Sequence, residues 1–384
     1  MADRDPKIVV IGAAGAQGRY AVDTILKWND SANVIAVDRA WTNEEPPTWK
    51  GRVELVSHDI MAGSSELIGL MRQAQIVLNF AGPFYKIGPV VLASAIEAGV
   101  DYVDICDDVD ATEDLLAFDK RAEAGNVRAI IGSGSAPGTT NLIAKAAFQY
   151  LGGSQGAIID ISWCAPASDM TRGIFEHVVH CLKTALPGEQ VVPEWRALEP
   201  RIEAFGEPVG DVEVIRLGHP EPLTLKRMLG VEASLRGGMT SKGLMKVSWN
   251  LAREVDAGLS LEAAWQRLES HLAGLKKDAG MSGMKISVQQ GEDGITVQSA
   301  TDISMEQSTA VPAVATAIYL LSDDQMGPGV WPPEILDVRR YFQLAGTVSP
   351  GGGGLQAFRT RAGKRTEKIR LRDLFEVVVK REPQ

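Results

Sequence analysis

The chain has 384 residues, of which 45% are hydrophobic and 23% charged, with a formal net charge of -10 at pH 7; these values predict a globular protein of two domains, or one large domain with an insertion. The negative charge argues against nucleic-acid partners, which need a basic face, and the absence of an apolar signal region or of a run of about 18 apolar residues argues against a membrane partner. Because the three cysteines, Cys106, Cys164 and Cys181, are an odd number at no metal-ligand spacing, we expect a reducing compartment and hence a cytoplasmic protein.

The first predicted element is a buried parallel strand, Lys7–Ile11, followed by glycines at the spacing G-x-x-G-x-x-G and then by a helix. The first glycine allows a sharp turn, the second allows the backbone to approach a pyrophosphate, and the third allows close packing of the helix. Exposed amides at the helix N-terminus then bind the phosphates. The residues expected to contact the diphosphate are Gly12, Gly15, Ala16, Gln17 and Gly18.

The second strand, Asn33–Val37, ends in Asp38, twenty residues after Gly18. An acidic side chain at this place accepts hydrogen bonds from the adenosine ribose hydroxyls, which favours NAD as the cofactor. Arg39 follows directly and is suited to pair with a 2′-phosphate, so NADP stays an alternative.

Two further strands lead to other predicted cofactor contacts. Val53–Ser57 leads to Asp59, which either borders the adenine or caps a helix over Ser65–Arg72. Gln75–Phe80 leads to a segment that we place beside the nicotinamide, because ligands of doubly wound sheets bind outside the carboxyl ends of the strands. The predicted contacts there are Asn79, Ala81, Gly82 and Pro83, and Tyr85 is either a hydrogen-bond donor beside the nicotinamide or a packing residue.

A fifth strand, Tyr102–Ile105, precedes an acidic cluster that contains Asp107 and Asp108. These two carboxylates either cap the following helix, Ala111–Ala124, or act as the acid or base of a reaction. A sixth strand, Arg128–Ile131, completes an α/β fold with a doubly wound parallel sheet of the Rossmann type.

A second glycine-led turn follows that strand, with the sequence GSGSAPGTTN, and opens a helix over Leu142–Tyr150. Small hydroxyl residues at a helix start are either ordinary caps or part of an anion site that faces the cofactor. We expect Gly138, Thr139 and Asn141 to bind a substrate carboxylate.

The pattern then changes to alternating strands and amphipathic helices, which predicts an inserted α+β domain with a mostly antiparallel sheet. Strands are predicted at Val209–Leu217 and Leu223–Leu225, separated by the loop GHPEP. In that loop His219 is a candidate catalytic residue and Glu221 a candidate substrate ligand, with a plain surface loop as the alternative. Arg172, near a helix start, is a candidate clamp for a carboxylate.

No metal is expected, because His177 and His180 lie three apart on one helix and no third ligand with suitable spacing follows them. A helix at Ala310–Leu321 and a glycine- and proline-rich turn before a helix at Ile335–Leu344 are expected to return to the first domain. The basic C-terminal residues predict either an interaction arm or a solvated hairpin. The predicted domains are 1–137 (dinucleotide binding), 138–309 (α+β, substrate), 310–346 (return) and 347–384 (tail).

Four ordered segments, GAAGAQGR, NFAGPFYKIGPVVLASAIEAGVDYVDICDD, GSAPGTTNLIAK and GPGVWPPE, together resemble the saccharopine dehydrogenase superfamily over residues 7–345. The resemblance implies a Rossmann domain interrupted by a substrate domain on a mixed sheet, association as a homodimer, and oxidation or reduction of the C–N bond of an amino acid or imine, as in lysine 6-dehydrogenases and saccharopine reductases. The chain departs from the family where Asp107 and Asp108 replace a Gly-Glu pair, which changes the expected acid/base geometry. Phe84 also replaces a tyrosine of the saccharopine reductases, which counts against saccharopine itself as the substrate.

Two other functions stay open from the sequence alone. One is the reductive condensation of an amine with a carbonyl, as in opine or carboxynorspermidine enzymes, and the other is a non-catalytic dinucleotide sensor. A short-chain dehydrogenase is disfavoured, because no tyrosine is followed by lysine four positions later.

Overall fold

The structure is a computed structural model, and it describes residues 5–41, 46–188, 190–275, 280–322, 325–349 and 354–376. The chain divides into two compact units. The first unit comprises Met1–Thr139 and Met305–Gly351, and the second comprises Thr140–Ser304 and Gly352–Gln384. The sequence placed these divisions after residues 137, 309 and 346, and it treated the C-terminal residues as a separate tail.

The first unit begins with alternating strands and helices. Its strands are β1 (Lys7–Ile11), β2 (Asn33–Asp38), β3 (Val53–Ser57), β4 (Ile76–Asn79), β5 (Asp101–Asp104) and β6 (Arg128–Ile130). Its helices are α1 (Ala16–Trp28), α2 (Ser64–Met71), α3 (Phe84–Ala98), α4 (Val109–Leu116) and α5 (Asp119–Ala124).

The second unit follows, from a helix that starts at the boundary. Its helices are α6 (Thr139–Tyr150), α7 (Arg172–Lys183), α8 (Glu221–Leu229), α9 (Leu244–Asp256) and α10 (Leu261–Ala273). Its strands are β7 (Ile158–Ala165), β8 (Arg201–Ala204), β9 (Asp211–Arg216), β10 (Glu232–Met239), β11 (Ser282–Gln290) and β12 (Asp293–Thr301).

The remaining elements are divided between the two units. The first unit gains α11 (Met305–Leu321), β13 (Gly329–Trp331) and α12 (Val338–Val348), and the second gains β14 (Gln356–Arg361), β15 (Lys364–Ile369) and α13 (Leu371–Phe375).

The sheet of the first unit is parallel throughout, with the strand order β13-β6-β5-β4-β1-β2-β3. Its central strands are apolar runs because helices cover both faces of such a sheet. Val9, Val10 and Ile11 of β1 are accordingly fully buried. All carboxyl ends meet at one edge, so the loops after β1, β4, β5 and β6 are neighbours there. The predicted doubly wound fold is confirmed.

Two predictions for the first unit were wrong in detail. The single helix predicted over Ala111–Ala124 is two helices, and the break allows Asp119 at the start of α5 to accept a hydrogen bond from Val330 N at 2.9 Å. The segment predicted as a turn near residue 330 forms strand β13, which adds a seventh strand beside β6. In both places a contact with a distant part of the chain decides the local structure, and the local sequence pattern does not.

The sheet of the second unit is mixed, with the order β15-β14-β12-β11-β7-β10-β9-β8. One of its faces carries an ion-pair network in which Asp160 accepts from Arg201 and from Arg236, and Glu203 accepts from Arg201 and Lys285 at 2.5 Å. The C-terminal hairpin β14–β15 pairs with β12 rather than forming a separate arm. Leu223–Leu225, predicted as a strand, lies within helix α8, whose first turn contains Pro222.

The three cysteines are buried and none of them forms a disulfide bond. Among the described residues, no helix has both the length and the apolarity needed to cross a membrane. A cytoplasmic location stays a prediction from composition.

Candidate active site

The turn between β1 and α1 has the backbone geometry that a diphosphate site requires. Gly12 has φ +77, and a Cβ there would lie 2.7 Å from Ala81 N. Gly12 N and Ala13 N both donate to Val37 O, which ties the turn to β2. The N-cap residue of α1 is Gly15, which has no side chain to accept from the first-turn amides. Those amides, including those of Ala16, Gln17 and Gly18, are therefore left to water or to an anionic ligand.

The end of β2 places a carboxylate against this turn. Asp38 Oδ2 accepts from Ala14 N at 2.9 Å, and Oδ1 accepts from Arg39 N at 2.7 Å. Asp38 is half-buried and Arg39 is exposed. The carboxylate thus fixes the turn and retains lone pairs for ribose hydroxyls.

Asp59 caps a different helix from the one that the sequence predicted. Its Oδ1 accepts from Met61 N at 3.0 Å and caps the short 3₁₀ helix Ile60–Ala62. The longer helix α2 begins after Gly63, so the expectation that Asp59 caps it was wrong. A contact with adenine stays a prediction.

The segment after β4 is organised by a buried amide. Asn79 is fully buried; its Nδ2 donates to Tyr102 Oη at 3.1 Å and its Oδ1 accepts from Ala81 N at 3.0 Å. The side chain therefore shapes the loop from beneath. Gly82 is exposed, and Pro83 is the N-cap residue of α3.

Tyr85 lies in the first turn of α3 and is half-buried. The ammonium group of Lys86 lies 5.0 Å from the centre of its ring. This contact is a cation–π interaction at the helix start, next to the predicted nicotinamide segment.

The buried network continues into β5. Tyr102 Oη donates to Asp104 Oδ2 at 2.9 Å, and Asp104 Oδ1 accepts from Cys106 N at 3.0 Å and from Gly132 N at 2.7 Å. Burial raises the pKa of Asp104 from its ordinary value of 3.8 to about 6, although these three hydrogen bonds act in the opposite direction. Burial, and then the charge of Asp104, raise the pKa of Tyr102 as well. The sequence reasoning missed this anchor.

A signal for the anchor was present in the sequence. Asn79 and Asp104 are the last residues of two largely buried strands, and they pair directly across the sheet. Polar residues at matching ends of adjacent buried strands must satisfy each other or the following loops.

The acidic pair lies just beyond this anchor. Asp108 is 2% exposed and occupies the N-cap position of α4, but its side chain makes no capping hydrogen bond. Asp107 is half-buried. The buried Asp108 therefore begins α4 without capping it, and a role of either carboxylate as acid or base stays a prediction.

The turn after β6 is closed by its own backbone. Gly138 has φ +121, and a Cβ there would lie 2.1 Å from Gly134 O. Thr139 N donates to the same oxygen at 3.0 Å, and the Thr139 side chain bonds the hydroxyl of Tyr341, a residue of α12 that is 1% exposed. Burial raises the pKa of Tyr341 far above its ordinary value.

In the second unit, three of the predicted site residues belong to one buried cluster. Glu221 is 0% exposed; its Oε2 lies 2.8 Å from His219 Nδ1, and its Oε1 accepts from Thr140 Oγ1 at 2.9 Å. Asn141, also fully buried, donates from Nδ2 to Thr224 Oγ1 at 3.0 Å. The loop GHPEP is therefore an interior connection into α8, and its prediction as a surface loop was wrong.

Arg172 lies outside that cluster. Its guanidinium pairs with Glu262 of α10 at 3.0 Å, and both side chains are more than half exposed. The partner that a cation at a helix start needs is thus a surface carboxylate.

The chain is similar to known proteins in its sequence and in its fold. Residues 8–130 match the family model described as the saccharopine dehydrogenase NADP binding domain. The first part of the chain is therefore similar to the dinucleotide-binding domain of the saccharopine dehydrogenases. The cofactor is accordingly a nicotinamide dinucleotide, NAD(P), and the chain is placed among nicotinamide-dependent oxidoreductases.

The fold is similar to that of a solved saccharopine dehydrogenase. The apo saccharopine dehydrogenase (L-Glu forming) of Saccharomyces cerevisiae is 13% identical, with a TM-score of 0.60, over 92% of this chain and 100% of that one. An amine dehydrogenase from Mycobacterium smegmatis is 11% identical, with a TM-score of 0.49, over 86% of this chain and 96% of that one. Among curated protein sequences there is no significant match. The predicted superfamily resemblance is confirmed by the domain match.

The residues present fit the dinucleotide. A Cβ at Gly15 would meet only Gly12 O, at 3.3 Å, so the outer side of the turn is open to a ligand. The first-turn amides would hold the diphosphate, Asp38 the adenosine ribose, and the loop at Gly82 and Pro83 would border the nicotinamide.

Proposed function

We propose that the chain oxidises or reduces the C–N bond of an amino acid or of an amino-acid-derived imine. The observation that carries this proposal is the position of Asp107 and Asp108. They follow β5, the neighbour of β4 in the parallel sheet, and β4 leads into the predicted nicotinamide segment. Adjacent strands lie about 4.8 Å apart, so both loops border one site at the sheet edge.

An acid at that place suits imine chemistry. Bound NAD(P) supplies or accepts the hydride. In the reductive direction the substrate carbon is an iminium cation, which a carboxylate stabilises, and the C=N π electrons become the lone pair of the amine nitrogen. Asp107 or Asp108 would hold the cation and relay the proton at that nitrogen. Tyr85, Gly138 and Thr139 are the further substrate contacts that we propose from the first unit.

His219 and Glu221 suit a supporting role better than direct substrate contact. One oxygen of Glu221 contacts Thr140 and the other contacts His219, so both have partners within the protein. The side chain of Asn141 is fully buried and also suits a supporting role. Arg172 has a surface partner, and no observation favours it as a carboxylate clamp.

For the cofactor we propose NAD in preference to NADP. Support comes from Asp38, whose carboxylate would repel a 2′-phosphate while accepting from ribose hydroxyls. Arg39 is exposed and favours the alternative. We also propose a homodimer formed through the second sheet, supported by the superfamily resemblance and checked by the mass from light scattering.

The test is an absorbance assay of nicotinamide turnover. NADH and NADPH are offered with oxo acids plus ammonia or amines, and NAD and NADP with lysine, ornithine and diamines. We expect turnover with an amino acid or its imine, and Asp107→Asn or Asp108→Asn to lower kcat by roughly 100-fold or more while dinucleotide affinity stays within about twofold. Asp114→Asn, an exposed position of α4, is the matched control.

The outcomes separate the alternatives. Products that join an amine to a carbonyl would indicate an opine- or carboxynorspermidine-type condensation. Dinucleotide binding with no substrate-dependent change would indicate a sensor. Unchanged kcat in both Asp107→Asn and Asp108→Asn would refute their catalytic role.

A further inference from the structure

Three side chains of the second unit bring ligand-type atoms together at a place for which the sequence predicted no metal. His177 and Cys181 lie four residues apart on α7, and therefore on one face of that helix. Their ligand atoms and one from His219, which precedes α8, all lie within 4.8 Å of one another. Cys181 and His219 are 1% and 4% exposed, whereas His177 is half-buried.

One thiolate and two imidazoles are ligands that zinc binds. Thiolate sulfur binds Zn²⁺ at about 2.3 Å and imidazole nitrogen at about 2.0 Å, so tetrahedral ligand atoms lie roughly 3.5 Å apart. Cys181 Sγ is already 3.2 Å from His177 Nε2 and 3.7 Å from Nδ1. The rings of His177 and His219 have centroids 5.9 Å apart. Small changes in side-chain torsions therefore suffice to close the set around one ion.

An outer carboxylate orients the buried histidine. Glu221 Oε2 lies 2.8 Å from His219 Nδ1, which leaves Nε2 as the nitrogen that would bind a metal ion. Carboxylate–histidine–metal arrangements of this kind fix the tautomer and raise the basicity of the ligand. Thr140 Oγ1 holds the other oxygen of Glu221 at 2.9 Å.

Another buried thiol of the same unit shows the contrast. Cys164 packs with Phe205, Val212 and Val214, and burial raises the pKa of its thiol to about 12. Cys181 instead contacts imidazole nitrogen. A divalent ion with the Cys181 thiolate and the nearby Glu221 carboxylate would also give a buried group of no net charge, as burial requires.

We propose that His177, Cys181 and His219 bind one divalent transition-metal ion, Zn²⁺, with Glu221 as the outer partner of His219. Three protein ligands leave the fourth coordination position to water or to a substrate atom. All three proposed ligands belong to the second unit. It also explains why a fully buried glutamate adjoins a buried histidine.

The test uses Co²⁺ as a spectroscopic probe on the full chain after treatment with a chelator. We expect one Co²⁺ per chain, a near-ultraviolet thiolate-to-cobalt charge-transfer band, and displacement of that band by Zn²⁺. Cys181→Ser should abolish the band. His177→Gln and His219→Ala should each weaken Co²⁺ binding at least tenfold, and Glu221→Gln should weaken it by about 10- to 100-fold.

Two variants serve as matched controls. Cys164→Ser removes the other buried thiol of the unit, and His271→Ala removes an exposed histidine of α10; both should leave the band and the affinity unchanged. Circular dichroism and dinucleotide binding verify the folding of each variant. If a variant at a buried position does not fold, the Co²⁺ affinity of His177→Gln, at a half-buried position, decides the test. Absence of the band in the wild type, its retention in Cys181→Ser, or unweakened Co²⁺ binding in His177→Gln would overturn the proposal.

Discussion

Two glycine-led turns at the same edge of the first sheet differ in what their amides bond. The turn 12–18 follows β1, and the turn 132–138 follows β6. In the first, Gly12 N, Ala13 N and Ala14 N donate to oxygens of the protein, but the helix start is capped by Gly15, which offers no side-chain acceptor to the amides of the first helical turn. In the second, Gly132 N, Ser133 N and Thr139 N all donate to oxygens of the protein. The first turn is arranged for a ligand, whereas the second is arranged mainly for its own closure.

An aspartate from a neighbouring strand anchors each turn. Asp38 ends β2 and accepts from Ala14 N, and Asp104 ends β5 and accepts from Gly132 N. Asp38 is half-buried and reaches the surface, while Asp104 is 1% exposed. The two turns of similar sequence therefore differ in the exposure of the aspartate that anchors them, and the turn that we expect to bind the dinucleotide has the more exposed anchor.

The largest expected effect is on the closed turn. Gly138→Ala should lower the free energy of unfolding by roughly 3–5 kcal/mol, because φ +121 disfavours alanine and the new Cβ would lie 2.1 Å from Gly134 O. Urea unfolding followed by circular dichroism measures the change. A loss below about 1 kcal/mol would show that the turn can open.

Strand positions in the first unit were predictable because a buried parallel strand has a short run of apolar residues, and glycine, proline or charged residues flank that run. The three residues of β13 were not predictable. They are too few to show a period, and they form a strand only because β6 offers an unpaired edge. Leu223–Leu225 was misassigned because three residues with alternating polarity also fit one turn of a helix.

Site residues that are close together in the sequence were predictable. Contacts between side chains that are distant in the sequence were not. The glycine spacing and Asp38 could be read directly. The links from Asn79 to Tyr102 and from His219 to Cys181 join residues 23 and 38 positions apart, and only the folded chain brings them together. A period or motif search cannot find such pairs.

The next effect concerns the buried anchor and its dependence on pH. Because burial raises the pKa of Asp104 to about 6, the folded chain binds this proton more tightly than the unfolded chain. The contribution is therefore fully present below about pH 4 and is lost as the pH rises through about 6. Relative to Asp104→Asn, which does not titrate, the wild type should lose roughly 3 kcal/mol of stability between about pH 4 and pH 7.

Urea unfolding of both proteins across that range measures this difference, and any constant offset from altered hydrogen bonding cancels. If the free energies of unfolding of the wild type and of Asp104→Asn change with pH in the same way, folding does not raise the pKa of Asp104. The structural turn would then have an anchor no different from Asp38, and the comparison would fail.

The smallest expected effect separates the two turns by ligand binding rather than by stability. Gly15→Ala has an ordinary φ and would meet only Gly12 O at 3.3 Å, so folding should change by less than about 1 kcal/mol. Its methyl group would nevertheless occupy the space where the diphosphate approaches the backbone, and NADH affinity should fall about 10- to 100-fold, or roughly 1.4–2.7 kcal/mol. Fluorescence titration with NADH measures it.

Gly134→Ala is the matched control in the second turn, since its Cβ would meet Pro137 O and Thr309 Cγ2 at ordinary contact distances of 3.4 Å. That variant should bind NADH as the wild type does, because no phosphate is expected there. Equal losses of NADH affinity in both variants would mean that both turns contact the dinucleotide. The dinucleotide would then have to break hydrogen bonds that close the second turn. The amides of Ser133 and Thr139, which donate to Asp104 O and Gly134 O, would have to donate to the ligand instead.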